Sequence, residues 1–68
     1  MLGRLIHGFR GVRARHANAR GTSHWSDGKV ALAEAALREA LRLQPANVSA
    51  LSNLGMLLIE QQREDEGL

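Results

Sequence analysis

Three histidines, four clustered carboxylates, two glycine turns and a short run of hydroxyls are the side chains of this 68-residue chain that could do chemistry. Their spacing decides whether they do. His7, His16 and His24 stand nine and eight residues apart, whereas a helix brings two imidazoles onto one metal at i,i+4. They therefore read as solvent-exposed histidines. Glu60, Glu64, Asp65 and Glu66 lack the glycine turn and alternating ligands of a calcium loop and have no paired histidine, so they read as a solvated acidic segment. A phosphate-cradling loop needs four residues between its glycines and a Ser or Thr after its lysine. Gly21 and Gly28-Lys29 are separated by six residues, and Val30 follows, so the backbone amides cannot form that cradle. Thr22, Ser23 and Ser26 are outside any Gly-x-Ser-x-Gly elbow, and His24 beside Ser23 is adjacency without geometry. Asn47-Val48-Ser49 matches a glycosylation sequon, but Asn47 is better explained as a helix cap. The expectation is a chain with no catalytic, cofactor-binding or metal-binding residue, and not an enzyme.

Composition narrows the architecture. Hydrophobic residues are 44% of the chain and aromatics 3%, namely Phe9 and Trp25, so the core must be aliphatic. No cysteine is present, which removes disulfides, thiolate nucleophiles and Cys-based zinc sites. At this size folding buries only about 60% of the unfolded surface, and helix-helix packing has to supply the stability. The longest apolar runs, Val30 to Ala33 and Met56 to Ile59, have four residues each, against roughly 18 for a membrane span. Arg10 interrupts the first apolar segment before a signal-type hydrophobic region forms.

The net charge of +2 conceals two unlike parts. Residues 1–26 hold five arginines and no carboxylate, and residues 27–68 hold four basic and seven acidic residues. An acid-free arginine arm fits a mitochondrial transit segment, a polyanion-binding tail or a solvated leader. Five arginines could neutralise several phosphates without regard to sequence. Single-strand recognition would need interleaved aromatics, and Phe9 alone precedes Trp25, so no specific nucleic acid is expected.

Periodicity then places the elements. Leu2, Leu5, Ile6, Phe9 and Val12 recur at steps of three and four, with Arg4, Arg10 and Arg13 off that stripe. Gly3, Gly8 and Gly11 oppose the helix at roughly 1 kcal/mol each relative to alanine, so residues 1–25 are predicted to be an irregular or weakly helical basic arm. From Ala14 the apolar pattern fades, leaving a degenerate repeat helix and irregular chain as open alternatives, with Trp25 as the apolar anchor of the first. Ser26 or Asp27 is placed to cap a helix predicted over about 29–43. Val30, Ala33, Leu37, Ala40 and Leu41 form its apolar face, and Leu32, Ala36 and Leu43 widen it. A helix apolar around most of its circumference needs neighbours on two sides. Glu34 and Arg38 pair at i,i+4 on the polar strip. Pro45 ends the helix, and Asn47 caps a second over about 48–61, with Ala50, Leu51, Leu54, Leu57 and Leu58 as its apolar positions and Met56 and Ile59 on a flank. Gln61 to Glu66 reads as a turn plus the start of a further helix.

Read in order, Ala33, Leu37, Ala40 and Pro45 are followed by Leu51, Leu54, Gly55 and Leu58, and Gly21 precedes Gly55 by 34 residues. That joint spacing resembles the tetratricopeptide repeat, a helix-turn-helix unit of about 34 residues. The resemblance covers roughly Ser26 to Gly67. Leucines stand for the usual aromatics at 37, 51 and 58, and Gly67 stands where the family usually has alanine. It implies an all-α fold of antiparallel helix-turn-helix repeats over 26–68, preceded by the arm at 1–25. By the same resemblance, Ala33, Leu37, Ala40, Pro45, Leu51, Leu54, Gly55 and Leu58 pack the repeat, with Gly55 giving clearance where two helices cross. Ser49, Ser52, Asn53, Met56 and Glu60 would face a concave groove that grips a peptide or partner helix. Asn53 matches an asparagine that some chaperone-binding members use on a peptide's terminal carboxylate, yet Asn18 and Thr22 do not supply the accompanying cations.

The resulting expectation is a noncatalytic protein-protein interaction module or scaffold segment, cytoplasmic or, from its arginine-rich start, mitochondrial. The alternative is the noncatalytic repeat region of a larger enzyme such as a glycosyltransferase. Repeat arrays normally need about three units, so the chain is expected to belong to a longer array or to self-associate through exposed leucines.

Overall fold

The computed structural model describes residues 2–66, with side chains from 9 to 65. Three helices account for nearly all of it: α1, Leu2–Ser26; α2, Val30–Leu43; and α3, Val48–Glu66. No strand occurs among the described residues, and the chain is all-α. Connections of a few residues fold each helix back on the last. Arg10 of α1 lies against Leu43 at the end of α2, while Gly21 lies against Ala33 and Leu37, so α1 and α2 are antiparallel. α3 returns along the other side of α2 and runs parallel to α1, as the hydrogen bonds Asn18–Asn53 and Trp25–Glu60 require.

The physical centre is α2. Ala33, Ala36, Leu37, Ala40 and Leu43 are all buried, because neighbours flank this helix on both sides. Ala33 and Leu37 close against Leu54 and Leu57 of α3, with Trp25, Val30 and Leu41 around them. Ala17, Ala40 and Ala50 form a second, all-alanine contact where the three helices approach. Among the described residues, Leu37 and Leu57 are the large side chains that are fully enclosed. Leu32, placed on the widened apolar face by periodicity, instead points outward at 52% exposure.

The arm is helical from Leu2, including the stretch from 14 that the sequence left open. Ala14, Ala17 and Gly21 are buried and Trp25 joins the α2–α3 core. Tertiary contact therefore stabilises a helix that glycine content opposes, which is the usual source of helix stability in proteins. The side chains of Leu2, Leu5 and Ile6 lie outside those described, as does Gly67. At the other end α3 continues to Glu66, so the expected turn at Gln61–Glu66 is absent. Gln, Arg and Glu are good helix formers, and no Gly or Pro intervenes.

Two caps differ in kind. Ser26 is the last residue of α1 and Asp27 lies in the turn, so neither caps α2. Lys29 occupies the N-cap position without a side-chain bond, and Gly28 supplies the φ of +78° that reverses the chain, a conformation in which glycine has no steric penalty. Asn47 does cap α3: its Oδ1 accepts from the Ala50 amide at 2.9 Å, and its Nδ2 donates to Gln44 Oε1 at 3.1 Å. Asn47→Ala should therefore lose about 1 kcal/mol, read as a lower midpoint in urea unfolding with an unchanged slope. Asn47→Asp should lose much less.

Candidate partner-binding surface

The helix periodicity of 100° per residue divides α3 into three sides. Ala50, Leu54 and Leu57 turn to α2 and are buried. Ser49, Ser52, Asn53, Met56 and Glu60 share a second side next to α1. They face out as a set, with Asn53 half-buried and the other four exposed. The third side carries Val48, Leu51, Gly55, Leu58 and Ile59, all exposed.

Two hydrogen bonds tie the second side to α1. Asn53 Nδ2 donates to Asn18 Oδ1 at 3.0 Å, and Trp25 Nε1 donates to Glu60 Oε2 at 2.8 Å. In each pair the partners are 35 residues apart, and the two rungs are seven residues apart on both helices, about two helical turns. Asn18, Thr22 and Trp25 of α1 thus lie alongside Asn53, Met56 and Glu60 of α3, making a shallow strip of hydroxyl, amide and apolar surface. Met56 is 56% exposed at its middle. The sequence reading assigned only the α3 half. The 34-residue period was the available signal for a matching strip on α1, but the 35-residue pairing of Asn18 with Asn53 and of Trp25 with Glu60 depends on how α1 and α3 lie side by side.

The repeat-packing residues divide. Ala33, Leu37, Ala40 and Leu54 are buried, and Pro45 stands in the turn after α2. Leu51 and Leu58 are not packed, at 51% and 40% exposure. Gly55 gives no clearance, because a Cβ there would meet nothing within 4 Å. The close approach falls one period earlier. A Cβ on Gly21 would sit 2.7 Å from Leu37 Cγ, 2.8 Å from Leu37 Cδ2 and 3.3 Å from the Ala33 carbonyl oxygen.

Charge follows the helices. The basic residues of α1 face α2 as well as solvent: Glu39 is held below the ordinary carboxylate range chiefly by a hydrogen bond from Arg42, opposed by desolvation, with the charges of Arg42, Arg13 and Arg20 adding to the lowering. Arg42 Nε donates to Glu39 Oε2 at 2.8 Å, and Arg38 Nε pairs with Glu34 at 2.9 Å, the i,i+4 pair expected from spacing. Exposed pairs of this kind are screened by solvent and contribute little to stability. Arg10 Nε donates to the Leu43 carbonyl at 3.2 Å, satisfying one acceptor left over at the end of α2. Among the described residues no three His, Asp or Glu side chains converge to hold a cation, and no helix is long and apolar enough to cross a membrane.

No family model, curated protein or solved structure matches this chain.

Proposed function

We propose that the chain is a noncatalytic protein-protein interaction module built on tetratricopeptide-like helix pairs, and that the strip between α1 and α3 receives an extended peptide or a partner helix. The observation carrying this reading is the Gly21 notch. Glycine at 21, alanine at 33, leucine at 37 and alanine at 40 lie at the closest contact of an antiparallel pair, with Gly55 recurring 34 residues later in a helix parallel to the first. Side-by-side parallel helices leave a strip of side chains on one face, and its rungs at Asn18–Asn53 and Trp25–Glu60 fix the width. Polar groups that can exchange partners, set around an exposed methionine, suit a surface that recognises main chain as well as side chain.

Panning a displayed random-peptide library on the full chain tests this reading. Peptides recovered should change the emission of Trp25, the sole tryptophan, and should bind at least about tenfold more weakly to Met56→Glu, a loss near 1.4 kcal/mol. Arg38→Glu, on an exposed part of α2, should bind as the parent does. Recovery of no peptide, or equal loss in both variants, would remove the groove assignment.

A further inference from the structure

The side of α1 turned away from the groove carries a stripe of its own. Phe9, Arg13, His16, Arg20 and His24 recur at steps of four, three, four and four, which helical periodicity gathers onto one side. That side lies across the helix axis from Asn18 and Trp25, the residues that meet α3. His24 is half-buried and the other four are exposed. The contact of Ala17 with Ala40 sets the level of the neighbouring helix, so Glu39 of α2 stands between Arg13 and Arg20, and the charges of both reach its carboxylate. Arg42 donates to Glu39 at 2.8 Å, and its side chain is 63% exposed. Three arginines thus surround one carboxylate that is already bonded. Of the other described carboxylates, Asp27 lies in the turn after α1, Glu34 pairs with Arg38, and Glu60, Glu64 and Asp65 are on α3. One period later Leu54 and Leu58 replace Arg20 and His24. The charged stripe therefore suits water and ionic partners rather than an apolar helix face, because arginine is almost never buried unpaired.

We propose that this ridge between α1 and α2 binds the phosphate backbone of a double-stranded nucleic acid, without regard to base sequence, through Arg13, Arg20 and Arg42. Charge complementarity and the kind of cation argue for phosphate. The chain has eight arginines and one lysine, Lys29, and a guanidinium matches a phosphate with two parallel hydrogen bonds where an ammonium offers a point charge. Spacing argues for a regular backbone. Arg13 and Arg20 stand about 10 Å apart along the helix, a length that takes in about three phosphates of one strand of a duplex. A single strand fits less well, because base stacking needs several rings and Phe9, at 65% exposure, is the sole aromatic of the stripe. A lipid surface also fits less well. Leu32, 52% exposed near the start of α2, and Phe9 mark opposite ends of the ridge, and the arginines between them leave no continuous apolar band to enter a bilayer. The ridge and the groove lie on opposite sides of α1, so either can fail without the other.

The test titrates the full chain into a fluorescein-labelled DNA duplex of about 20 base pairs and follows anisotropy at several salt concentrations. Saturable binding is expected, equal for two unrelated sequences, with log K falling against log salt at a slope of about −3. Arg13→Gln and Arg20→Gln should each reduce that slope by about one, and together they should weaken binding at low salt at least about tenfold. Both sites are exposed, and glutamine is a good helix former, so circular dichroism should show an intact fold. Glu39→Gln should tighten binding by removing the one carboxylate of the ridge. Arg63→Gln, an equal change of net charge at an exposed site on α3, should leave affinity within about twofold. Three results would overturn the proposal: no binding at low salt up to about 1 mM protein, a loss from Arg63→Gln equal to that from Arg13→Gln, which would reduce the effect to net charge, or cosedimentation with phosphatidylserine vesicles that excess duplex does not displace, which would make a lipid surface the partner.

Discussion

Leucine at position 21 should destabilise this protein, and leucine at position 55 should stabilise it. Both sites are glycines inside helices, and in both the change gains about 0.8–1 kcal/mol of helix propensity. They differ in what lies opposite. At Gly21 even a single added carbon would stand 2.7 Å from Leu37 Cγ, and Leu37 is fully buried, with Leu54 and Leu57 of α3 in the same cluster. A whole leucine there must push α1 away from α2, opening the Ala17–Ala40 contact as well. Overpacking of this kind costs about 1–3 kcal/mol and at times more, so the net loss should be about 2 kcal/mol despite the propensity gain. At Gly55 nothing lies within 4 Å, and the propensity gain stands alone. Thermal unfolding followed by helical dichroism gives the sign directly. Midpoints moving in the same direction for the two variants would mean that the notch at Gly21 is not closed in solution.

Truncating Leu37 should have the largest effect of any single side-chain removal. Leu37 is 0% exposed, lies in the cluster that joins α2 to Leu54 and Leu57, and fills the Gly21 notch. Removing a buried leucine to alanine costs about 2–5 kcal/mol, depending on how far the site collapses. Here collapse is limited on the α1 side, where Leu37 meets Gly21, which has no side chain to move into the space. Proteins carry roughly 0.05–0.15 kcal/mol of stability per residue, so a loss of this size consumes most or all of what a chain this small holds. Leu37→Ala should appear largely unfolded at ordinary temperature, whereas Leu32→Ala, at a position 52% exposed, should melt close to the parent. Comparable midpoints for the two would place the core elsewhere.

Fold class and the two C-terminal helices were legible because their signals are local. The Ala/Leu face of α2, the break at Pro45 and the Asn47 cap each act within a turn or two of helix. Helical continuity of residues 14–26 was not legible. Arg20 and His24 stand there where Leu54 and Leu58 stand one period later, so the stripe looked broken. It survives in the structure because Ala14, Ala17 and Gly21 are small rather than large, which lets α1 approach closely and leaves Trp25 to reach the α2–α3 core. The missing cap at Ser26–Asp27 has the same origin, since a helix that runs on to Ser26 leaves only a glycine turn before α2.

Of the candidate groove, the α3 residues could be assigned from a repeat pattern, and the α1 residues could not. Asn18 and Trp25 become part of it only when α1 runs parallel to α3 at hydrogen-bonding distance. Amino-acid order alone thus determined that the chain is helical, where α2 and α3 lie, and that α2 must be covered on two sides, because propensity, caps and apolar periodicity are properties of neighbouring residues. Tertiary structure decided which of two equivalent glycines is a helix-crossing notch, which leucines are buried and which are bare, and which side chains meet across α1 and α3. Those depend on a helix being present opposite each site, and nothing within one turn of Gly21 or Gly55 distinguishes the one that has such a helix from the one that does not.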